Sequence, residues 1–354
     1  MLQTDENDAK DNAKLPLLVV QTIWRNSLQT LPMKEKLSCS NTVSNFWSCT
    51  SPLATTLWND ATQRAISELG FFVQSRKMEN IDSLNAWILS ESQFGPNPWK
   101  ISSTKRLYYT LKPYLPRNLT KILRRFYGNW KDEISPLKWP IEDRYVNFLW
   151  ETMRQLLIIK NVDFLEIKNF WPDHYRYAFT LTHDIETIQG QAKIRQVMDL
   201  EERFGFRSSF NFVPERYVID KKLFQEIQER GFEIGIHGLK HDGKLFFSRS
   251  IFEKRAKKIN HYLKKYDAVG FRSPLTHRNP YWMQLLDIDY DLSFFDTDPF
   301  EPLPGGTMSI WPFKIGNFIE LPYTLPQDYT VIDILGETSP KIRLEKVNFM
   351  KKNH

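Results

Sequence analysis

Cysteine is scarce and long apolar runs are missing. Only Cys39 and Cys49 occur in 354 residues, and two thiols make neither a disulfide framework nor a CxxC metal knuckle. They read as free thiols. No stretch reaches the ~18 uninterrupted apolar residues that a spanning helix needs. The opening MLQTDENDAKDNAK is polar and acidic where a secretory leader is basic, and LPLLVV after it is too short for a signal core. A disulfide-stapled scaffold and a membrane span are thereby excluded, and a cytoplasmic protein, soluble or peripheral to a membrane, is expected. Charge of one sign is not abundant either. The 48 Lys and Arg exceed the 42 Asp and Glu by only six, which gives weak attraction to anionic surfaces and no reason to expect a nucleic acid as partner. Aromatic residues are plentiful, with 11 Trp, 14 Tyr and 25 Phe, so core material is not lacking.

Residues 1–14 read as a disordered tail, and 15–104 as an N-terminal region, helical or irregular, to which no chemistry can be assigned. Residues 105–174 form a basic, aromatic linker region. Within it, 105–131 carries eight Lys or Arg and no acid, broken by Pro113 and Pro116. This segment is either a solvated linker whose aromatics dock on a neighbouring domain or a patch that touches a membrane surface. Between Trp139-Pro140 and Trp171-Pro172, IEDRYVNFLWETMRQLLIIKN has helical apolar spacing. From 175 to 354 the texture changes to short apolar runs alternating with polar helices. YAFTLTHD, RSSFNFVP, FEIGIHG, AVGFRSP and DLSFFDTD read as strands; GQAKIRQVMDLEERFG, DKKLFQEIQERG and SIFEKRAKKINHYLKKY read as helices, and a short one starts at Asn279. Gly205 and Gly231 close the first two helices as C-cap signals. Such alternation argues for βα units on a parallel sheet or barrel.

In parallel α/β folds, reactive groups gather where strands end. Three candidate groups fall there: Thr182-His183-Asp184-Ile185-Glu186, then His237 and His241 four positions apart, then Arg272-Ser273-Pro274. Extended backbone points Asp184 and Glu186 the same way. Two imidazoles and a carboxylate suit a divalent ion, Zn²⁺ above all, with positions left open for water. The second carboxylate then serves as general base, and an arginine holds it in place. Taken singly, each signal has a plain alternative: HxxxH by chance, DxE as a helix cap, Arg272 as a surface ion pair. Their placement at successive strand ends favours a site.

With these residues in view, 175–350 resembles the polysaccharide deacetylase superfamily, the NodB-homology fold. Thr182-His183-Asp184-Ile185-Glu186 is similar to its divergent T-H-D-x-D/E first motif, His237 and His241 to its H-[ST]-x-x-H motif with Gly238 at the hydroxyl position, and Arg272 with Pro274 to its R-x-P loop. The resemblance implies an α/β fold with a distorted (β/α)7 barrel-like C-terminal domain. It implies Asp184 as base and Glu186, His237 and His241 as metal ligands, although the extra residue between the two acids leaves their roles exchangeable. It further implies that Arg272 orients the base and that the Leu275 N–H helps hold an oxyanion. Phe295-Asp296-Thr297-Asp298 approximates a fourth motif, giving Asp296 and Asp298 as substrate-binding candidates. A fifth motif, Leu-x-His with the histidine as general acid, is missing: IELPYTLPQD offers no imidazole, and His277 is the nearest candidate. Phe294, Phe295, Phe300 and Trp311 are candidates for a sugar-stacking wall but read more readily as core. The implied activity is metal-dependent hydrolysis of a non-peptide C–N bond in an N-acetylated sugar. The alternative is a deacetylase-like scaffold that binds carbohydrate or metal without turnover.

Overall fold

In the computed structural model, residues 41–70, 82–111, 114–116, 136–168, 171, 177–303 and 305–353 are described. The tail read over 1–14, Cys39 and most of the basic segment 105–131 lie outside them. The short apolar runs after residue 180 become strands β1 (Thr182–Ile185), β2 (Ser209–Phe212), β3 (Glu233–Ile236), β4 (Gly270–Phe271), β5 (Tyr290–Asp291), β6 (Phe313–Ile315) and β7 (Phe318–Glu320). They form one sheet in the order β1-β2-β3-β4-β5-β7-β6. Every pairing is parallel except β6 with β7. Among the described residues no strand pairing joins β1 to β6, and where a distorted barrel-like domain was expected the strands form a seven-stranded, mainly parallel sheet with helices. All four residues of β2 are buried, as befits a strand covered on both faces, even though Ser209-Phe210-Asn211-Phe212 alternates polar with apolar.

Local chemistry sets the helix limits. Helix Ile188–Arg203 is capped by the Thr187 hydroxyl, Lys221–Glu229 by the Asp220 carboxylate and Arg249–Tyr266 by the Ser248 hydroxyl; each accepts from a backbone N–H that the first turn leaves unpaired. Gly205 and Gly231 follow the first two, both at φ 75°, as expected of C-cap glycines. The fifth strand departs from expectation. Strand pairing ends at Asp291 because Ser293 turns its hydroxyl and its N–H back onto the Asp291 carboxylate (2.6 and 3.2 Å), a local bond that competes with the ladder. Beyond it, 292–298 keeps only an isolated bridge, Phe295 to Tyr323. The β6–β7 hairpin, turning on Gly316-Asn317 with Gly316 at φ 55°, was not visible as strand alternation.

The N-terminal region is helical at Val43–Trp47, Thr55–Ala65, Asp82–Leu89, Ser103–Leu111 and Arg144–Lys160. The last of these carries a buried stripe of Tyr145, Phe148, Leu149, Thr152, Met153 and Leu156, the helical period seen in the sequence, and packs on Thr55–Ala65. A contiguous core runs from Val43 through the sheet to Phe318. At one seam the Glu91 and Arg278 side chains, each 0% exposed, form an ion pair. Glu91 also accepts from Trp99 Nε1 (2.9 Å) and Gly306 N (2.7 Å). A Cβ at Gly305 would stand 1.9 Å from Arg278 Nη2, so the chain must carry glycine there.

A buried arginine stripped of its carboxylate is costly. Glu91→Ala is therefore expected to lower unfolding stability by about 3–5 kcal/mol, read from urea denaturation; a loss under about 1 kcal/mol would show that the pair does not hold the seam.

Candidate metal centre and active site

The site forms where β1, β3 and β4 end. Strand alternation sends Thr182 and Asp184 to one side of β1 and His183 to the other. There His183 Nε2 lies 2.6 Å from Glu201 and its ring stacks on Phe210 at 5.2 Å. Glu186, just past β1, meets His237 and His241 from the end of β3, and one donor atom from each lies within 4.8 Å of the others. Glu186 Oε1 and His241 Nε2 are 3.0 Å apart. His237 Nδ1 donates to the Arg272 carbonyl at 3.0 Å. A carbonyl only accepts, so the proton sits on Nδ1 and Nε2 keeps the lone pair a cation needs.

Gly238 departs from the hydroxyl residue expected between the histidines, and the fold supplies the reason. Its φ is 63°, and a Cβ there would lie 2.6 Å from the Pro274 ring. Bare backbone lets the β3 end close against the Arg272-Ser273-Pro274 loop, with His241 itself turned at φ 53°.

Asp184 stands beside this trio, 3.8 Å from His237 Nδ1, and its closer partners lie outside it. Its Oδ2 is 3.2 Å from Arg272 Nε, and its Oδ1 accepts from Asn211 Nδ2 at 3.2 Å. Arg272 also donates through Nη1 to Thr182 Oγ1 at 3.2 Å. Asp184 retains 26% of its side-chain surface while the Arg272 side chain retains 9%, so the carboxylate faces the opening and its guanidinium partner is sunk. Burial pushes the Asp184 pKa up, but Arg272, His237 and Asn211 together hold it below its ordinary value. Burial likewise acts upward on Glu186, yet His241, His237 and Arg216 bring it to about 2. Burial pushes His237 down to about 4 against the pull of Asp184. Near neutral pH the trio therefore presents an ionised carboxylate and a neutral His237 imidazole, the protonation states that accept a cation. Two imidazoles and one carboxylate suit Zn²⁺ with coordination positions to spare.

The remaining sequence candidates are placed as follows. Leu275 is half-buried at φ 61°, and Thr276 follows at φ 48°. Two successive non-glycine residues in the left-handed region cost about 1–3 kcal/mol each, strain that tends to mark functional loops. His277 is 1% exposed and packs edge-on to Tyr109 at 5.1 Å. Burial, with Lys105 and Arg278 nearby, pushes its pKa down to about 3, so it carries no imidazolium proton at neutral pH. Asp296 is engaged by Lys346 Nζ at 2.7 Å, and Asp298 accepts from Phe300 N and Thr330 Oγ1; neither belongs to the trio. Phe294, Phe295, Phe300 and Trp311 are all buried, in keeping with core. Sequence reasoning missed Asn211, because its place beside Asp184 depends on strand register. In the parallel register Asn211 lies directly beside Asp184 and Gly235 beside Asn211, and a Cβ at Gly235 would meet Asn211 Oδ1 at 2.1 Å.

The fold and site together define a mixed α/β protein with a candidate metal centre at strand C-termini. No family model matches the chain, and no curated protein does. Among solved structures it is similar to a crystal structure of a provisionally assigned polysaccharide deacetylase from Mycobacterium smegmatis, at 18% identity and a TM-score of 0.37, over 51% of this chain and 75% of that one. No helix of the described residues is long and apolar enough to cross a membrane.

Isothermal titration with Zn²⁺ is expected to find one site, weakened more than about 100-fold in His241→Ala; unchanged affinity would remove His241 as a ligand. Metal-free protein should also lose stability in acid. His237 and His277 are neutral when folded, down to about 4 and about 3, whereas unfolded histidine titrates near ~6.5. Below ~6.5 the unfolded state binds more protons, so each histidine removes up to about 1.4 kcal/mol per pH unit until its folded pKa is reached. Denaturant midpoints at pH 7 and pH 5 measure this, and His277→Gln should flatten the slope.

Proposed function

We propose that the protein is a metal-dependent hydrolase of non-peptide C–N bonds that removes the acyl group from an N-acetylated sugar. The observation that carries this reading is the convergence of Glu186, His237 and His241 beside a second carboxylate, Asp184, that is held by Arg272 and lies 3.8 Å from His237 Nδ1. One acid and two imidazoles are left to hold a divalent ion, and the second acid is left to move a proton. When bound, such an ion supplies Lewis acidity, acidifying water and polarising a carbonyl.

The chain's own groups do the rest. Asp184 is ionised and partly open, so it can accept a proton from an attacking water. Arg272 and Asn211 fix its two oxygens, which keeps its proton-accepting atom pointed at one place. The turn at Leu275 presents backbone N–H to the oxygen that becomes negative as the carbonyl is attacked. Asp296 and Asp298, expected to bind substrate, are buried and engaged by Lys346, Phe300 N and Thr330 Oγ1, which argues against direct contact with a sugar. The neutral, buried state of His277 argues against it as donor to the departing amine. That state also favours the second reading, a scaffold that binds metal and carbohydrate with little turnover.

Acetate release from N-acetylated chitooligosaccharides, with Zn²⁺ and with chelator, tests the proposal. Asp184→Asn is expected to reduce kcat by about 10²–10⁴-fold without weakening Zn²⁺ binding more than a few-fold. Release indifferent to both chelator and substitution would exclude the hydrolase, and tight Zn²⁺ binding with no release from any acylated sugar would leave the scaffold.

A further inference from the structure

Arg272 and Thr276 bracket the left-handed turn, and both reach the same group of side chains outside the trio. The Tyr323 ring, three residues past the end of β7, lies 5.5 Å from the Arg272 guanidinium carbon. Its backbone is fixed by Phe294 and Asp296 (Tyr323 N to Phe294 O 3.0 Å, Asp296 N to Tyr323 O 3.3 Å) and its ring by Phe295 at 5.3 Å. The Tyr323 hydroxyl donates to Glu301 Oε1 at 2.8 Å and approaches Asp298 Oδ2 at 3.4 Å. The other Glu301 oxygen, Oε2, accepts from the Thr276 hydroxyl. One continuous path therefore leaves the turn at Arg272, crosses Tyr323 and Glu301, and returns at Thr276.

We propose that Tyr323, Glu301 and Thr276 form a clamp that holds the Arg272–Thr276 turn in its strained shape, acting as positioning residues for Asp184 and for the Leu275 N–H. Three observations support it. The turn has two consecutive non-glycine residues at positive φ, a conformation that persists only where the surroundings impose it. Tyr323 and Glu301 come from the last strand end and the loop before β6, far from the turn in sequence, so they are not part of its local geometry. Finally, Asp298 is buried against Glu301, and burial first and that neighbour second push its pKa up to about 7. Ionisation of Asp298 above that value would put a buried charge beside the Glu301 carboxyl and loosen the clamp. The other ionisable groups that face the assembly are Arg272, Lys346 and Asp291, with Asp184 beyond Arg272.

The clamp rests on the hydrolase reading for its kinetic consequence, but its structural consequence stands apart. Tyr323→Phe keeps the ring over Arg272 and removes only the hydroxyl; Thr276→Val cuts the other end. Each is expected to lower kcat by about 10–100-fold, with KM and Zn²⁺ affinity within about two-fold of the parent and the double variant little worse than either single, as for partners in one path. Asp298→Asn should remove the fall in kcat expected above about pH 7. Hydrogen exchange of the peptide spanning 272–278, measured on the full chain, should speed up in both single variants while the β2 peptide is unchanged. Should Thr276→Val fail to fold, Tyr323→Phe carries the comparison alone. Unchanged exchange at 272–278, or equal losses of Zn²⁺ affinity and kcat, would overturn the clamp. A parent protein that releases no acetate would instead sink the hydrolase reading, leaving the exchange experiment to decide the clamp.

Discussion

The Asp184 side of the candidate site depends on Arg272. Its guanidinium holds the Asp184 carboxylate and the Thr182 hydroxyl, its carbonyl fixes the His237 tautomer, and its far face meets the Tyr323 ring. One buried cation thereby sets the orientation of the Asp184 carboxylate, the tautomer of His237 and the packing of Tyr323. A buried arginine is stable only with partners that satisfy it, so its demands constrain β1, β3 and β7 at once.

A second constraint is the close approach of backbone to side chain around that arginine. Gly238 admits the Pro274 ring and Gly235 admits the Asn211 amide, since a Cβ at either would overlap its neighbour. These glycines let strand β3 and the residues after it approach their neighbours, Asn211 on β2 and Pro274 in the loop after β4. A substitution at 238 would therefore push on the Arg272-Ser273-Pro274 loop as well as on the histidines.

Much of the C-terminal half was legible before any coordinates. Period-2 and period-3.6 patterns located β1 to β4 and the helices 188–203, 221–229 and 249–266, because their caps and apolar faces are local properties. The sequence also put Asp184, Glu186, His237, His241 and Arg272 at strand ends as candidates, since local spacing there restricts side-chain direction. The limits of β5 were misread because Ser293 bonds to Asp291 instead of extending the ladder. The β6–β7 hairpin was missed because three-residue strands carry too little alternation to register. The Glu91–Arg278 pair was invisible because its partners are separated by 187 positions.

The sequence by itself determined which residue types stand at successive strand ends, and so the kind of chemistry they can support, because side-chain alternation and capping act over a few residues. Tertiary structure alone decided how the two acids are partnered. Glu186 reaches His241, while Asp184 is drawn to Arg272 and Asn211. That division depends on the register of β1 against β2 and β3 and on a buried charge finding its counterion, and neither is encoded in the spacing of two acids along one strand.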